Sequence, residues 1–134
     1  MIRRLVLSSK HIEELKKFAI DSLPLESCAL MLGKINDDNA IVSKVVFTKN
    51  ADKSKTTFSI DPNELLNVYK EAESSGLDIV GIFHSHPAPA KPSALDAKYM
   101  ELNPIPWLIM STLNNELMAF LYDNAILRLE LAVS

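Results

Sequence analysis

Apolar positions along the chain alternate between a period of two and a period near 3.6, and the switches mark out elements. Ile2 to Leu7 predicts a short strand. Ser8 or Ser9 can cap a helix whose apolar face is Ile12, Leu15, Phe18, Ala19 and Leu23, and Pro24 stops it. Pro24 to Gly33 predicts a loop entering a buried strand, with Glu26, Cys28 and Leu30 on one face by alternation. Lys34 to Ala40 is polar and predicts a hairpin loop; Ile41 to Thr48 is β-branched and predicts a strand. Lys49 to Lys55 predicts a mobile loop, and Thr56 to Ile60 another short strand. Asp61-Pro62-Asn63-Glu64 predicts a helix start, with Asp61 as cap, Pro62 in the first position and Glu64 completing a capping box. Leu65, Leu66, Tyr69 and Ala72 form its apolar face and Gly76 ends it. Asp78 to Phe83 predicts a strand leading into His84. Beyond Asp96 a helix runs to about Leu102. Strands follow at Pro106–Thr112, Glu116–Tyr122 and Ala125–Ala132, the last two joined by a turn at Asp123-Asn124. The predicted order is β-α-β-β-β-α-β-α-β-β-β, an α+β fold with a mixed sheet flanked by helices, in one domain over residues 1–134.

Composition narrows the class without naming a function. Apolar residues are 48% and charged residues 23%, ordinary for a globular chain. The net charge of -3 comes with no basic block, so no nucleic-acid footprint is expected. No apolar run approaches the roughly 20 residues of a membrane span. The apolar run at the N-terminus is too short for a signal peptide. The lone Cys28 cannot form an internal disulfide, which predicts a reducing, cytoplasmic setting.

The chemistry concentrates after the Asp78 strand. His84 and His86, at i and i+2, point to one side of it. A proline-rich turn follows, then Ser93 and Asp96 on one side of a first helical turn. Two imidazoles and a carboxylate converging from two rigid elements form a common ligand set for catalytic zinc, with the fourth position open. Each part also has a plain structural reading. The histidines can be hydrogen-bonded core residues, and Ser93 with Asp96 can be a capping box, which still lets the serine show its hydroxyl to a site. Glu26 at the mouth of a buried strand is either solvated or recruited to a site. Cys28 reads as packing rather than as a thiolate ligand or nucleophile. His11, in a first helical turn, reads as a surface residue.

Taken together, Glu26 in Pro24-Leu25-Glu26-Ser27-Cys28-Ala29-Leu30-Met31-Leu32-Gly33, His84-Ser85-His86-Pro87 and Ser93-Ala94-Leu95-Asp96 resemble the JAMM (MPN+) metalloprotease motif, in its minimal archaeal or bacterial form. Two departures stand out. Six residues separate His86 from Ser93, where the family commonly has seven, and Ala29 stands where relatives often have glycine. The resemblance implies Zn²⁺ held by His84, His86 and Asp96, with Glu26 as general base and Ser93 as oxyanion donor. It implies a substrate bond after the C-terminal Gly-Gly of a ubiquitin-like modifier protein. A flexible glycine tail suits an extended groove, and the loop and helix from Thr56 to Gly76 are expected to flank it.

Other readings stay open at this level. One is a metal-free MPN-like scaffold module, although such relatives lack the ligands kept here. Another is a RadC-like protein, although this chain has no room for the extra helical segment. The Pro-Cys-x-x-Cys segment of zinc deaminases is absent. Partners expected are the modifier or its conjugates, with no nucleic acid and no membrane; exposed strand edges would allow a homodimer.

Overall fold

A computed structural model describes residues 1–134. Its elements are β1 (Arg4–Leu7), α1 (Ser9–Ser22), β2 (Cys28–Asn36), β3 (Asn39–Thr48), α2 (Pro62–Ser74), β4 (Asp78–His86), α3 (Ala94–Leu102), β5 (Trp107–Ser111), β6 (Leu117–Tyr122) and β7 (Ile126–Val133). The order is therefore β-α-β-β-α-β-α-β-β-β. The strand expected at Thr56–Ile60 does not form, and that segment is part of an irregular connection. Its composition suits a strand, but β2 is already paired on both sides, by β3 and β4, and no ladder remains for it.

The sheet closes on itself in the order β1-β3-β2-β4-β5-β6-β7. Closure is the work of β1, which pairs in parallel with both β3 and β7. A mixed sheet flanked by helices is the sequence expectation; its closure leaves no full-length edge for a dimer built by strand pairing. Every strand sends side chains to one inner cluster of 15 buried residues, among them Leu5, Met31, Phe83, Leu108 and Leu121. Leu15 and Ala19 of α1 join that cluster.

Helices α2 and α3 lie on the other face. Leu30 and Leu32 pack with Val68 and Ala72 of α2, while Met100 of α3 packs with Trp107, Ile109 and Phe120. The buried positions of α2 are Val68 and Ala72, with Leu65 alongside. Leu66 and Tyr69, expected on that face, are more than half exposed. The correct stripe is i, i+3, i+7, and Leu66 lies one residue off its phase.

The helix ends behave largely as their residues dictate. Ser8 caps α1 and Asp61 caps α2. The expected capping box at Asp61 is only half made: Glu64 Oε1 accepts from the Lys49 N–H at 2.8 Å instead of turning back to its own cap. At the far end, Gly76 takes φ +67, and the Leu77 N–H reaches the Ala72 carbonyl at 2.8 Å, a Schellman ending. The hairpin between β2 and β3 is tighter than the polar run suggested, turning at Asp37-Asp38 with Asp37 at φ 57.

The register of β2 against β3 shifts between Leu32 and Gly33. There Gly33 lets the Ile41 carbonyl press against its α-carbon, where a methyl group would overlap that oxygen. The obstacle is backbone in a paired strand and cannot swing aside. Gly33→Ala should therefore cost about 1–3 kcal/mol or more, read as a lower urea midpoint at unchanged slope.

Candidate metal centre

The C-terminal half of β4 carries the site. Its residue His84 sits opposite Cys28 of β2 and Ile109 of β5, and His86 opposite Ser111. Pairing on both sides at His84, and with β5 at His86, fixes the backbone, and alternation turns both imidazoles to the same outer face. His84 is 1% exposed and His86 5%. The Ser85 side chain points elsewhere: its hydroxyl meets Ser27 Oγ at 2.6 Å and accepts from the Ser27 N–H at 3.1 Å. This buried pair ties the chain just before β2 to the end of β4.

Asp96 arrives from α3. Ser93 caps that helix; its Oγ accepts from the Asp96 N–H at 3.1 Å, and Asp96 Oδ2 accepts from the Ser93 N–H at 2.9 Å. The full capping box is present. The same Asp96 Oδ2 lies 3.1 Å from His84 Nε2 and 3.9 Å from His86 Nδ1. The turn that is one residue short thus still delivers the carboxylate to both imidazoles. It folds tightly, with His86 Nε2 against the Pro89 carbonyl at 2.8 Å, a contact that fixes the ring's orientation. Ser93 itself is exposed, and with its lone pair committed to the cap its hydroxyl proton stays free to donate.

Glu26 is buried, not solvated, at 6% exposure, and Oε1 stands 3.6 Å from His84 Nδ1. Two carboxylates therefore bracket one imidazole. Burial works against a charged His84, but Asp96 and Glu26 outweigh it and push its pKa up to about 9 from 6.5. For Asp96, burial raises the carboxyl and the neighbouring His84 more than offsets it, so its pKa is lowered.

The donor set fits a metal ion. His84, His86 and Asp96 each offer one ligand atom, and these lie within 4.8 Å of one another, all buried. Both His84 ring nitrogens are buried without a hydrogen-bond partner; the 3.1 Å approach of Asp96 does not have hydrogen-bond alignment. Buried imidazole nitrogens left unmatched by hydrogen bonds are what a cation would satisfy.

Cys28 is not part of this group. Its thiol contacts Thr48 Oγ1 at 3.0 Å, and burial pushes its pKa up to about 11. It is a packed, protonated thiol. His11, half-buried in the first turn of α1, is also outside the group.

One residue missing from the sequence reading is Phe58. Its ring stacks on His84 at 4.8 Å with a 24° tilt, and Trp107 meets His84 edge-on at 6.1 Å. Phe58 falls in the segment expected to be a strand, and its place beside β4 follows only from the fold. The same two aromatics help line a groove of about 270 Å³ between α2 and α3, with Ile60, Leu65, Tyr69 and Tyr99.

A model of prokaryotic homologues of the JAB domain matches residues 8–122. The chain is 37% identical over 108 residues to a desampylase of Pyrococcus furiosus, covering 80% of this chain and 74% of that one. It is 32% identical over 103 residues to a probable TtuB-protein conjugate cleaving protease of Thermus thermophilus, covering 75% of this chain and 66% of that one. Among solved structures, a solution structure of a protein from Desulfitobacterium hafniense matches with a TM-score of 0.86 at 32% identity, over 97% of this chain and 92% of that one.

Two outcomes follow from the geometry. Purified protein should hold about one zinc per chain by elemental analysis, and His86→Ala should lose it, since structural and catalytic zinc alike need at least three protein ligands. In chelator-treated protein, His84 binds its proton more tightly folded than unfolded. Its stabilisation is complete below about 6.5 and is lost as pH rises through about 9. The Tm of the metal-free form should fall across that window, and His84→Gln should flatten the fall.

Proposed function

The chain belongs to the family of prokaryotic homologues of the JAB domain, and on that premise we propose that it is a zinc-dependent isopeptidase. Its substrate bond would follow the C-terminal Gly-Gly of a ubiquitin-like modifier protein. The observation that carries the reading is the placement of Glu26, a buried carboxylate outside the ligand group yet beside His84. A structural site needs no such fourth group; hydrolysis needs a base within reach of water. The names of the relatives, a desampylase and a conjugate cleaving protease, support the substrate class.

His84, His86 and Asp96 would hold the zinc, which when bound supplies Lewis acidity to acidify water and polarise the scissile carbonyl. Glu26 takes the proton from the attacking water and returns it to the departing amine. Its confinement near the ligands keeps that transfer short. Ser93 donates its free hydroxyl proton to the substrate oxygen as negative charge builds there. The serine thus does two jobs with one oxygen, capping α3 and facing the reacting carbonyl. No covalent link to the protein is required.

The modifier tail would lie in the groove between α2 and α3. One wall comes from the stretch Thr56 to Gly76, through Phe58, Ile60, Leu65 and Tyr69. Phe58 and Trp107 belong both to this groove and to the surroundings of His84, so the groove leads to the metal ligands. A tail ending in glycines suits a passage narrowed by two aromatic rings.

The test is release of a fluorogenic amine joined to the tails of several small modifier proteins. Zinc-loaded wild type should release it from at least one of them. Glu26→Gln should keep its zinc and lose about 10²–10⁴ in kcat; Ser93→Ala should lose about 10²–10³. Tyr69→Glu should raise KM and leave zinc content alone. No cleavage of any member at stoichiometric enzyme, or a wild-type rate in Glu26→Gln, would overturn the proposal.

A further inference from the structure

Glu26 precedes β2 by two residues and takes no part in the sheet ladder. Its backbone is held from elsewhere. Its N–H donates to the Ser54 carbonyl at 2.9 Å, and its carbonyl accepts from Asn50 Nδ2 at 3.0 Å. Both anchors lie in the connection between β3 and α2. Asn50 is the centre of that connection. Its Nδ2 also faces the carbonyls of Thr57 at 2.9 Å and Ser54 at 3.3 Å, while its Oδ1 accepts from the N–H groups of Asp52 at 3.0 Å and Ser59 at 3.3 Å. Thr57 and Ser59 are the neighbours of Phe58, whose ring lies on His84. A single amide therefore ties the backbone of Glu26 to the segment that covers a metal ligand.

We infer that Asn50 is a positioning residue for this site, setting the Glu26 carboxylate and the Phe58 ring relative to His84. The inference rests on the reading of Glu26 as the base. The chemistry asks for a side chain with a donor end and an acceptor end at this length, which only asparagine combines. Aspartate keeps the acceptor half, toward Asp52 and Ser59, but presents oxygen to three carbonyls. Alanine supplies neither half. A base displaced by about 1 Å can cost on the order of 10²-fold in rate, so the clamp matters to chemistry even where the fold survives.

The experiment compares wild type, Asn50→Ala and Asn50→Asp by zinc content, by kcat and KM on a cleaved tail substrate, and by amide hydrogen exchange. Both variants should keep wild-type zinc and a KM within about twofold, and lose about 10- to 100-fold in kcat. The Glu26 amide should exchange at least about tenfold faster while Leu30 and Ile82, inside the sheet, do not change. Rescue by Asn50→Asp would mean that only the acceptor half matters, hence loop folding rather than placement of Glu26, and would overturn the inference. So would a wild-type kcat in Asn50→Ala, an unchanged Glu26 amide, or general loss of protection and zinc in both variants, which marks a structural role alone. If wild type cleaves nothing, the isopeptidase reading fails, and the exchange of Glu26 alone decides whether Asn50 holds it.

Discussion

His84 is a buried imidazole held between two buried carboxylates, and neither of its nitrogens has an aligned hydrogen bond. Unmatched buried polar atoms cost about 1–3 kcal/mol each, so the fold carries this arrangement at the expense of stability. Without a metal, a proton on His84 offsets part of the charge, which is why its pKa rises to about 9 despite burial. That proton leaves the cluster one negative charge in excess. A divalent cation on neutral imidazoles would balance Asp96 and Glu26 and satisfy the ring nitrogens at once. A scaffold module that binds no metal would bear the same cost with only that proton to offset it.

The frame around this cluster is rigid in some places and adjustable in others. His84 sits where β4 is paired on both sides and His86 where it is paired with β5, and the Ser27–Ser85 hydroxyl pair locks the end of that strand to the chain just before β2. Asp96 is fixed by the two bonds of its capping box, so the same local rule that starts α3 also aims a ligand. Glu26 has no such element of its own. It depends on a connection that is irregular in backbone yet bonded throughout by side chains. The three residues that could hold a metal are thus built on regular structure, and the carboxylate beside them on a loop.

Much of this was legible in the residues. His84, His86 and Asp96 could be brought together by two local rules, strand alternation and helix-start spacing, and both operate within a short stretch of chain. From its own surroundings Glu26 was legible as a carboxylate at a strand mouth, and only the family resemblance pointed it to the site; its burial depends on β4 lying next to β2, a pairing of residues far apart in sequence. Thr56–Ile60 has strand composition, but strand formation requires a free neighbour, and sequence does not show that both sides of β2 are taken. The phase error on α2 arose because Leu66 and Tyr69 are as apolar as the residues that do pack; Tyr69 lines the groove, and Leu66 lies off the packed stripe. Barrel closure was invisible, since β1 meets β7 across nearly the full chain. The hub at Asn50 carried one faint signal, an Asn two residues before Asp52 in a polar run, which reads as an ordinary Asx turn.

The sheet separates the requirements of folding from those of chemistry. Alternation along β2 sends Ala29 and Met31 to the inner cluster, and Leu30 and Leu32 to the helices outside. His84 shares the outer face, in register with Cys28, whose thiol contacts the Thr48 side chain. A slip of one residue in β4 would turn both histidines into the barrel and Ser85 out of it, which ties the site to register as strictly as the core is tied. The inner cluster of 15 apolar residues can be as tightly filled as stability demands. The outer face is covered by α2 and α3, with a groove between them that Phe58, Leu65, Tyr69, Tyr99 and Trp107 help line. The groove lies between α2 and α3, whereas His84 and His86 are placed by the barrel beneath and Asp96 by the start of α3; groove residues such as Tyr69 and Tyr99 could therefore change without disturbing the His84-His86-Asp96 group.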